Sequence, residues 1–256
     1  MSSPSNRTIP LSPARRLACD VLHFGQKVPL VVLERHMRLA DVARARAAIP
    51  TKPSWFAVFA KAYGIVAARR PALRRSYLSL PWPRLFEHAR NIAVMPIERR
   101  LLDEDVVLYV SLAEPEQQTI RQLDTWIRRH KSEALENNTF FQTQLWTSRL
   151  PRPLRRLLWW LGLNLLGRVR AYFYGTFGIT GVGAFGSSLV TILPPLTTTL
   201  TYGVIDADGS VTVRLCFDHR VMDGAEPARA LAELEEVLNG EILAELRQTL
   251  VRPDAA

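Results

Sequence analysis

Apolar and polar positions alternate from Ser210 to Phe217, so that Val211, Val213, Leu215 and Phe217 share one face and predict a half-buried strand. The period then changes. From Ala225 to about Leu250 the apolar stripe Leu231, Leu234, Leu238, Ile242 and Leu246 predicts an amphipathic helix, with Asn239-Gly240 as its weak point. Near the start, Ser12-Pro13 reads as an N-cap and a first-turn proline opening a helix that ends near Gly25. Residues 28–39 contain a strand and 40–49 a helix, and Ser54 caps a helix from Trp55 to about Arg70 that Pro71 stops. Strands are expected over 91–97 and 106–112, joined by the charged turn Glu98 to Asp105, followed by a long helix from Pro115 through about Glu136. After Gly175 strands return, 197–205 and 211–217 being linked by the turn Asp206-Ala207-Asp208-Gly209. This is an α/β alternation without repeats.

Chemistry concentrates in Phe217-Asp218-His219-Arg220-Val221-Met222-Asp223-Gly224. His219 follows directly on a strand and Asp223-Gly224 leads into a helix, so rigid elements hold the imidazole on both sides. A His followed four residues later by Asp-Gly, between strand and helix, is an acyl-transfer signature.

Three segments together resemble a known family: Ile9-Pro10-Leu11-Ser12-Pro13-Ala14-Arg15-Arg16, Gly175-Thr176-Phe177-Gly178-Ile179-Thr180-Gly181-Val182-Gly183, and the His219 motif. They are similar to the chloramphenicol acetyltransferase-like proteins, and within them to the catalytic domain of the dihydrolipoamide acyltransferases of 2-oxoacid dehydrogenase complexes. The resemblance implies one α/β domain over residues 1–256, a mixed β-sheet sandwiched with helices. It implies a homotrimer whose active sites lie between subunits, with acyl-CoA or CoA as substrate. His219 would be the general base on a thiol or hydroxyl, because a thiol near pKa 8.5 is a good nucleophile only as thiolate and an imidazole near 6.5 can take its proton. Thr180 would donate to the tetrahedral oxyanion. Asp223 would pair with an early arginine, Arg15 or its neighbour Arg16, and with Gly224 support the His turn.

The sequence also departs from that family. The usual Pro-His-Val of the first strand reads Pro29-Leu30-Val31, and a Pro-Glu-Leu-Asn run reads Pro71-Ala72-Leu73-Arg74. No lipoyl domain, peripheral-subunit-binding domain or Ala/Pro-rich linker is present, so a stand-alone enzyme without a covalent lipoyl site is expected. The acyl acceptor or donor need not be lipoamide. Alternatives are transfer involving an acyl carrier protein or a membrane lipid, and a catalytically silent trimeric scaffold for dehydrogenase-type partners.

A second departure is the stretch 145–170, with Arg149, Arg152, Arg155, Arg156, Arg168, Arg170, three tryptophans and no acid. The apolar run Leu157 to Gly167 would rise only about 17 Å as a helix, against a hydrocarbon core of about 30 Å. It therefore reads either as an interfacial element on anionic lipid or as a helix buried in the core or a subunit interface, with arginines at its rims.

The formal net charge of +9 suits nucleic acid, an anionic membrane, or a phosphorylated cofactor with an acidic carrier. Composition alone does not choose among them; no nucleic-acid motif accompanies the charge, and an acyltransferase would need local cationic surface for the phosphates of CoA. With no apolar leader, and with Cys19 and Cys216 forming no framework, a cytoplasmic location is expected. No Cys/His cluster has metal-ligand spacing, and Cys216 is expected to pack rather than react. Gly181-Val182-Gly183-Ala184-Phe185-Gly186 spells a dinucleotide fingerprint, but the β-branched run after it ends in Pro194-Pro195, which no helix interior accepts.

Overall fold

The computed structural model of the chain describes residues 6–251, apart from 102, 182–185, 188 and 191. The first helix, α1, runs Pro13–Gly25; Ser12 Oγ accepts from the Arg15 amide at 3.1 Å and caps it. There follow β1 (Leu30–Arg38), α2 (Ala40–Ala48) and α3 (Trp55–Arg69), the last capped by Ser54 and halted before Pro71 as expected. A small hairpin, β2 (Arg75–Leu78) with β3 (Arg84–Glu87), stands apart from the main sheet.

The next two strands are longer than the sequence suggested, β4 spanning Ile92–Leu101 and β5 Glu104–Ala113. Residues assigned to a charged turn are paired instead, Arg100 opposite Asp105 with their side chains bonded at 3.0 Å. An edge strand tolerates such charges because one side of it faces water. The helix expected from Pro115 is also different. Pro115–Gln117 forms a 3₁₀ turn, and α4 starts at Ile120 and ends at Ser132. The reason is Thr119, which builds a full capping box with Gln122.

Between α4 and the next strand lie three helices: α5 (Thr139–Arg149), α6 (Arg152–Asn164) and α7 (Gly167–Tyr174). Gly175, at φ +77°, turns the chain into β6 (Phe177–Thr180), where a side chain would strike Val94 and the Ile92 carbonyl. β7 (Thr198–Tyr202) and β8 (Ser210–Asp218) follow, then α8 (Ala225–Val237), a π-helical turn over Leu238–Ile242 and α9 (Leu243–Val251). The weak point Asn239-Gly240 thus becomes a π turn inside one continuous helix rather than a break.

The six main strands lie in the order β1-β8-β7-β6-β4-β5, with β7-β6 and β6-β4 parallel and the rest antiparallel. This mixed sheet has two unlike faces. On one, Met95, Val110, Phe177, Leu200, Leu215 and Phe217 are buried in the main core beneath α3 and α8. The other carries Ser111, Gly178, Thr180, Thr199 and Arg214, smaller or polar residues, with α1 and α5 to α7 over its β4-β5 half.

Candidate active site

His219 stands one residue beyond β8, its amide donating to the Pro29 carbonyl at 3.1 Å and its ring half-exposed at 49%. What fixes this turn is a group the sequence reading passed over. Asp218 is fully buried, and its carboxylate accepts from the Arg220 amide at 3.0 Å, Nε at 2.9 Å and Nη2 at 2.8 Å. Such a chelated ion pair locks backbone on both sides of the imidazole. The Arg220 guanidinium also lies over the Tyr77 ring, 4.4 Å from its centroid. An acid and an arginine flanking the histidine were the available signal.

Arg170 of α7 is a second arginine close to Asp218. It is buried, with Nη1 donating to the carbonyls of Tyr77 and Leu163 and Nη2 to that of Pro195. Burial, aided by the charge of Arg220, pulls its guanidinium down to about 10 even though Asp218 opposes the shift.

The expected Arg15–Asp223 pair is not made within the chain. Arg15 donates from Nη2 to Glu104 Oε1 at 2.8 Å, and Arg16 donates from Nε to the Leu11 carbonyl at 3.2 Å. Topology explains this: α1 packs against β5, at the opposite edge of the sheet from β1, four strand positions away from β8. Asp223 is 92% exposed, with Oδ1 3.8 Å from His219 Nδ1, beyond hydrogen-bond reach. Gly224 has an ordinary helical φ of −57°, and a side chain there would meet nothing within 4 Å. Within one chain Asp223 approaches the His ring only at this charge-pair distance, and Gly224 opens α8.

Thr180 ends β6 on the more polar face. It pairs with Thr201 of β7, which pairs with Arg214 of β8. His219 is five residues further along, so the two side chains lie roughly 17 Å apart along the strands and about 9.5 Å across them, roughly 20 Å in all. One chain does not bring them to one reacting carbon.

Beside Thr180 opens an apolar cavity of about 1010 Å³, floored by the sheet and roofed by α5, α6 and α7. Arg155, placed at a rim by the sequence reading, is instead buried, Nε 2.5 Å from Asp20 Oδ2 of α1. The acid missing from residues 145–170 is thus supplied 135 residues away. The apolar run does not disappear into a core either, since Leu157, Leu158 and Trp160 remain 41–50% exposed. Among the described residues no helix is long and apolar enough to cross a membrane. Cys216 is buried and its thiol pushed up to about 11 by that burial, which suits packing. Of the dinucleotide fingerprint, 182–185 lie outside the described residues, as do two residues of the Thr180 motif; Gly181, Gly186 and Ser187 are not helical.

No protein-family model and no curated protein matches the sequence. Solved structures do match in shape. A probable dihydrolipoamide acetyltransferase from Listeria monocytogenes superposes with a TM-score of 0.65 at 18% identity, over 91% of this chain and 94% of that one. The dihydrolipoamide acetyltransferase of Azotobacter vinelandii gives 0.69 at 17% identity over 95% of each chain. Chloramphenicol acetyltransferase gives 0.54 at 12% identity, over 90% and 96%. With its mixed sheet and helices in one domain, this chain has the chloramphenicol acetyltransferase-like acyltransferase fold.

Proposed function

We propose that the protein is a CoA-dependent acyltransferase whose active site is completed by a second copy of the chain. The observation that carries this reading is the His219 turn: a half-exposed imidazole held at the end of a central strand by the buried Asp218–Arg220 pair. Such an imidazole is rigid on its backbone side and open on its ring side, as a base meeting substrate from outside must be. In the Azotobacter enzyme a serine, a histidine and an asparagine four positions after the histidine are the subject of catalytic analysis. His219 and Asp223 have the same spacing, and Thr180 carries a hydroxyl as that serine does.

In the forward reaction, His219 takes the proton from the acceptor thiol or hydroxyl as the acceptor attacks the thioester carbonyl. The carbonyl oxygen becomes an oxyanion, to which the Thr180 hydroxyl of the neighbouring copy donates. Collapse breaks the carbon–sulfur bond, and CoA leaves as a thiol with the proton returned by His219. The roughly 20 Å between the two groups in one chain is spanned because each comes from a different subunit. A trimer satisfies this, and one neighbour of the same fold is the cubic core of the pyruvate dehydrogenase complex. Asp223, exposed in the isolated chain, then gains its partner across the interface.

Calorimetric titration with CoA, at low and at physiological salt, tests the reading. Binding that survives physiological salt supports it. No binding moves the acyl donor to a phosphopantetheine arm on an acidic carrier protein, which the net charge of +9 would attract, or leaves a silent scaffold.

A further inference from the structure

The cavity beside Thr180 is far larger than an acetyl group requires. At about 1010 Å³ it stands at the top of the range for small-molecule sites. Its floor comes from Val94, Ser111 and Gly178, and its roof from residues such as Phe140, Trp159 and Leu165 on α5 and α6 or just beyond. The volume exists because the sheet presents small side chains here while the arginine-anchored helices hold the roof away. The Asp20–Arg155 pair and the three carbonyl bonds of Arg170 fix that roof from below.

A polar residue of the lining lies close to Thr180. Thr199 pairs with Gly178, two residues before Thr180, and lines the same cavity. It is only 4% exposed, and its hydroxyl has no hydrogen-bond partner among the described residues. That oxygen is turned toward Gly178 and has almost no accessible surface, so the cavity meets Thr199 through the rest of its side chain. Leu158, Trp159, Leu161, Leu165 and Val169 make much of the lining apolar, with hydroxyls scattered among them and Thr180 at the wall, which fits a hydrocarbon chain whose thioester lies beside Thr180.

We propose that this cavity holds the acyl chain of the donor, so that the substrate is a long-chain rather than an acetyl thioester. The proposal rests on the acyltransferase reading for its orientation. A tetrahedral carbon at Thr180 bears the oxyanion, the sulfur and acceptor on the side of the partner's His219, and the acyl chain. The cavity, which Thr180 lines, gives the acyl chain a route into the subunit that carries Thr180. Each methylene buried there adds up to about fourfold in affinity.

Titrations of the intact protein with CoA, acetyl-CoA, hexadecanoyl-CoA below its micelle concentration, free hexadecanoic acid and hexadecanol test this. Two variants fill the cavity from opposite walls, Ser111→Phe from the floor and Thr143→Trp from the roof; their thermal midpoints verify folding. The expected result is hexadecanoyl-CoA binding at least a hundredfold tighter than acetyl-CoA, with the preference cut tenfold or more in a folded variant and CoA affinity unchanged. CoA binding with no chain-length preference, or a preference that both folded variants retain, overturns the proposal and leaves the transferase reading standing. Hexadecanoic acid binding that the variants abolish, with no CoA binding, supports the cavity and removes CoA as the donor. Binding of hexadecanol but not of hexadecanoyl-CoA assigns the cavity to an acceptor and overturns the proposal.

Discussion

In the proposed reaction Thr180 and His219 make opposite demands on their surroundings: the first would aim a hydroxyl, the second would move a proton. A single well-aimed oxyanion donor is worth about 2.7–4 kcal/mol of barrier, so Thr180→Val is expected to lower kcat about 10²–10³-fold with thermal stability unchanged. Steady-state kinetics beside a melting curve checks it. Asp218 makes the contrary prediction. Asp218→Ala leaves Arg220 and Arg170 without their shared carboxylate, at a cost of about 3 kcal/mol. For a chain of this size that is a drop of roughly 6–12 °C in Tm. Asp223→Ala, by contrast, should leave the melting of the dissociated chain untouched, because its side chain is solvated there.

His88 adds a pH dependence. It is buried, its Nε2 2.9 Å from Ser76 Oγ, and burial followed by the charge of Arg170 lowers its pKa to about 4. Between about pH 4 and 6.5 the unfolded chain binds the extra proton, so stability rises with pH across that window and is lost as pH falls through it. His88→Asn should flatten the acid limb of a Tm-against-pH curve between those values; an unchanged slope would remove His88 as its source. At this scale the places of His219, just past a strand, and Thr180, at the end of one, were legible from local pattern. Asp218 and Arg220 lay in plain view beside the histidine, but their role depends on a burial that sequence does not display.

Local sequence chemistry sets most element boundaries. Ser12-Pro13, Ser54 and Pro71 act as caps and stops because each works on its own backbone within three or four residues. The errors have the same origin. Thr119 and Gln122 spelled a capping box that competes with Pro115 as a helix start, and the more complete cap won. The charged stretch between β4 and β5 stayed in the sheet because cross-strand pairing outweighs the polarity of an edge. Residues 145–170 were not legible, since their fold hinges on Asp20, an acid 135 residues distant. Arg155→Ala, which leaves Asp20 facing only Arg156 at 3.6 Å, should cost about 3 kcal/mol and loosen α6 from α1. Hydrogen exchange faster in α6 than in α3 would confirm that the loss is local.

At the scale of the whole molecule, the register of one sheet decides how the site is built. Thr180 and His219 stand at opposite ends of strands two positions apart, with β7 between them, so on the proposed reading a chain with every side chain in place is still half of two sites. A monomer should bind substrate weakly and turn nothing over, while His219→Ala should assemble as the wild type does, because its ring is half-exposed and its one aromatic neighbour in the chain is Phe217 at 5.8 Å. Mixing then gives the most direct test. His219→Ala and Thr180→Val, each with activity at most a hundredth of wild type alone, on the order of the loss expected above, are dissociated, combined and reassembled, and release of CoA from an acyl-CoA to a dithiol acceptor is measured. A shared site predicts recovered activity, since mixed assemblies contain interfaces at which an intact His219 faces an intact Thr180. Mixed assemblies no more active than either variant alone, while wild-type protein carried through the same treatment turns over, would contradict it.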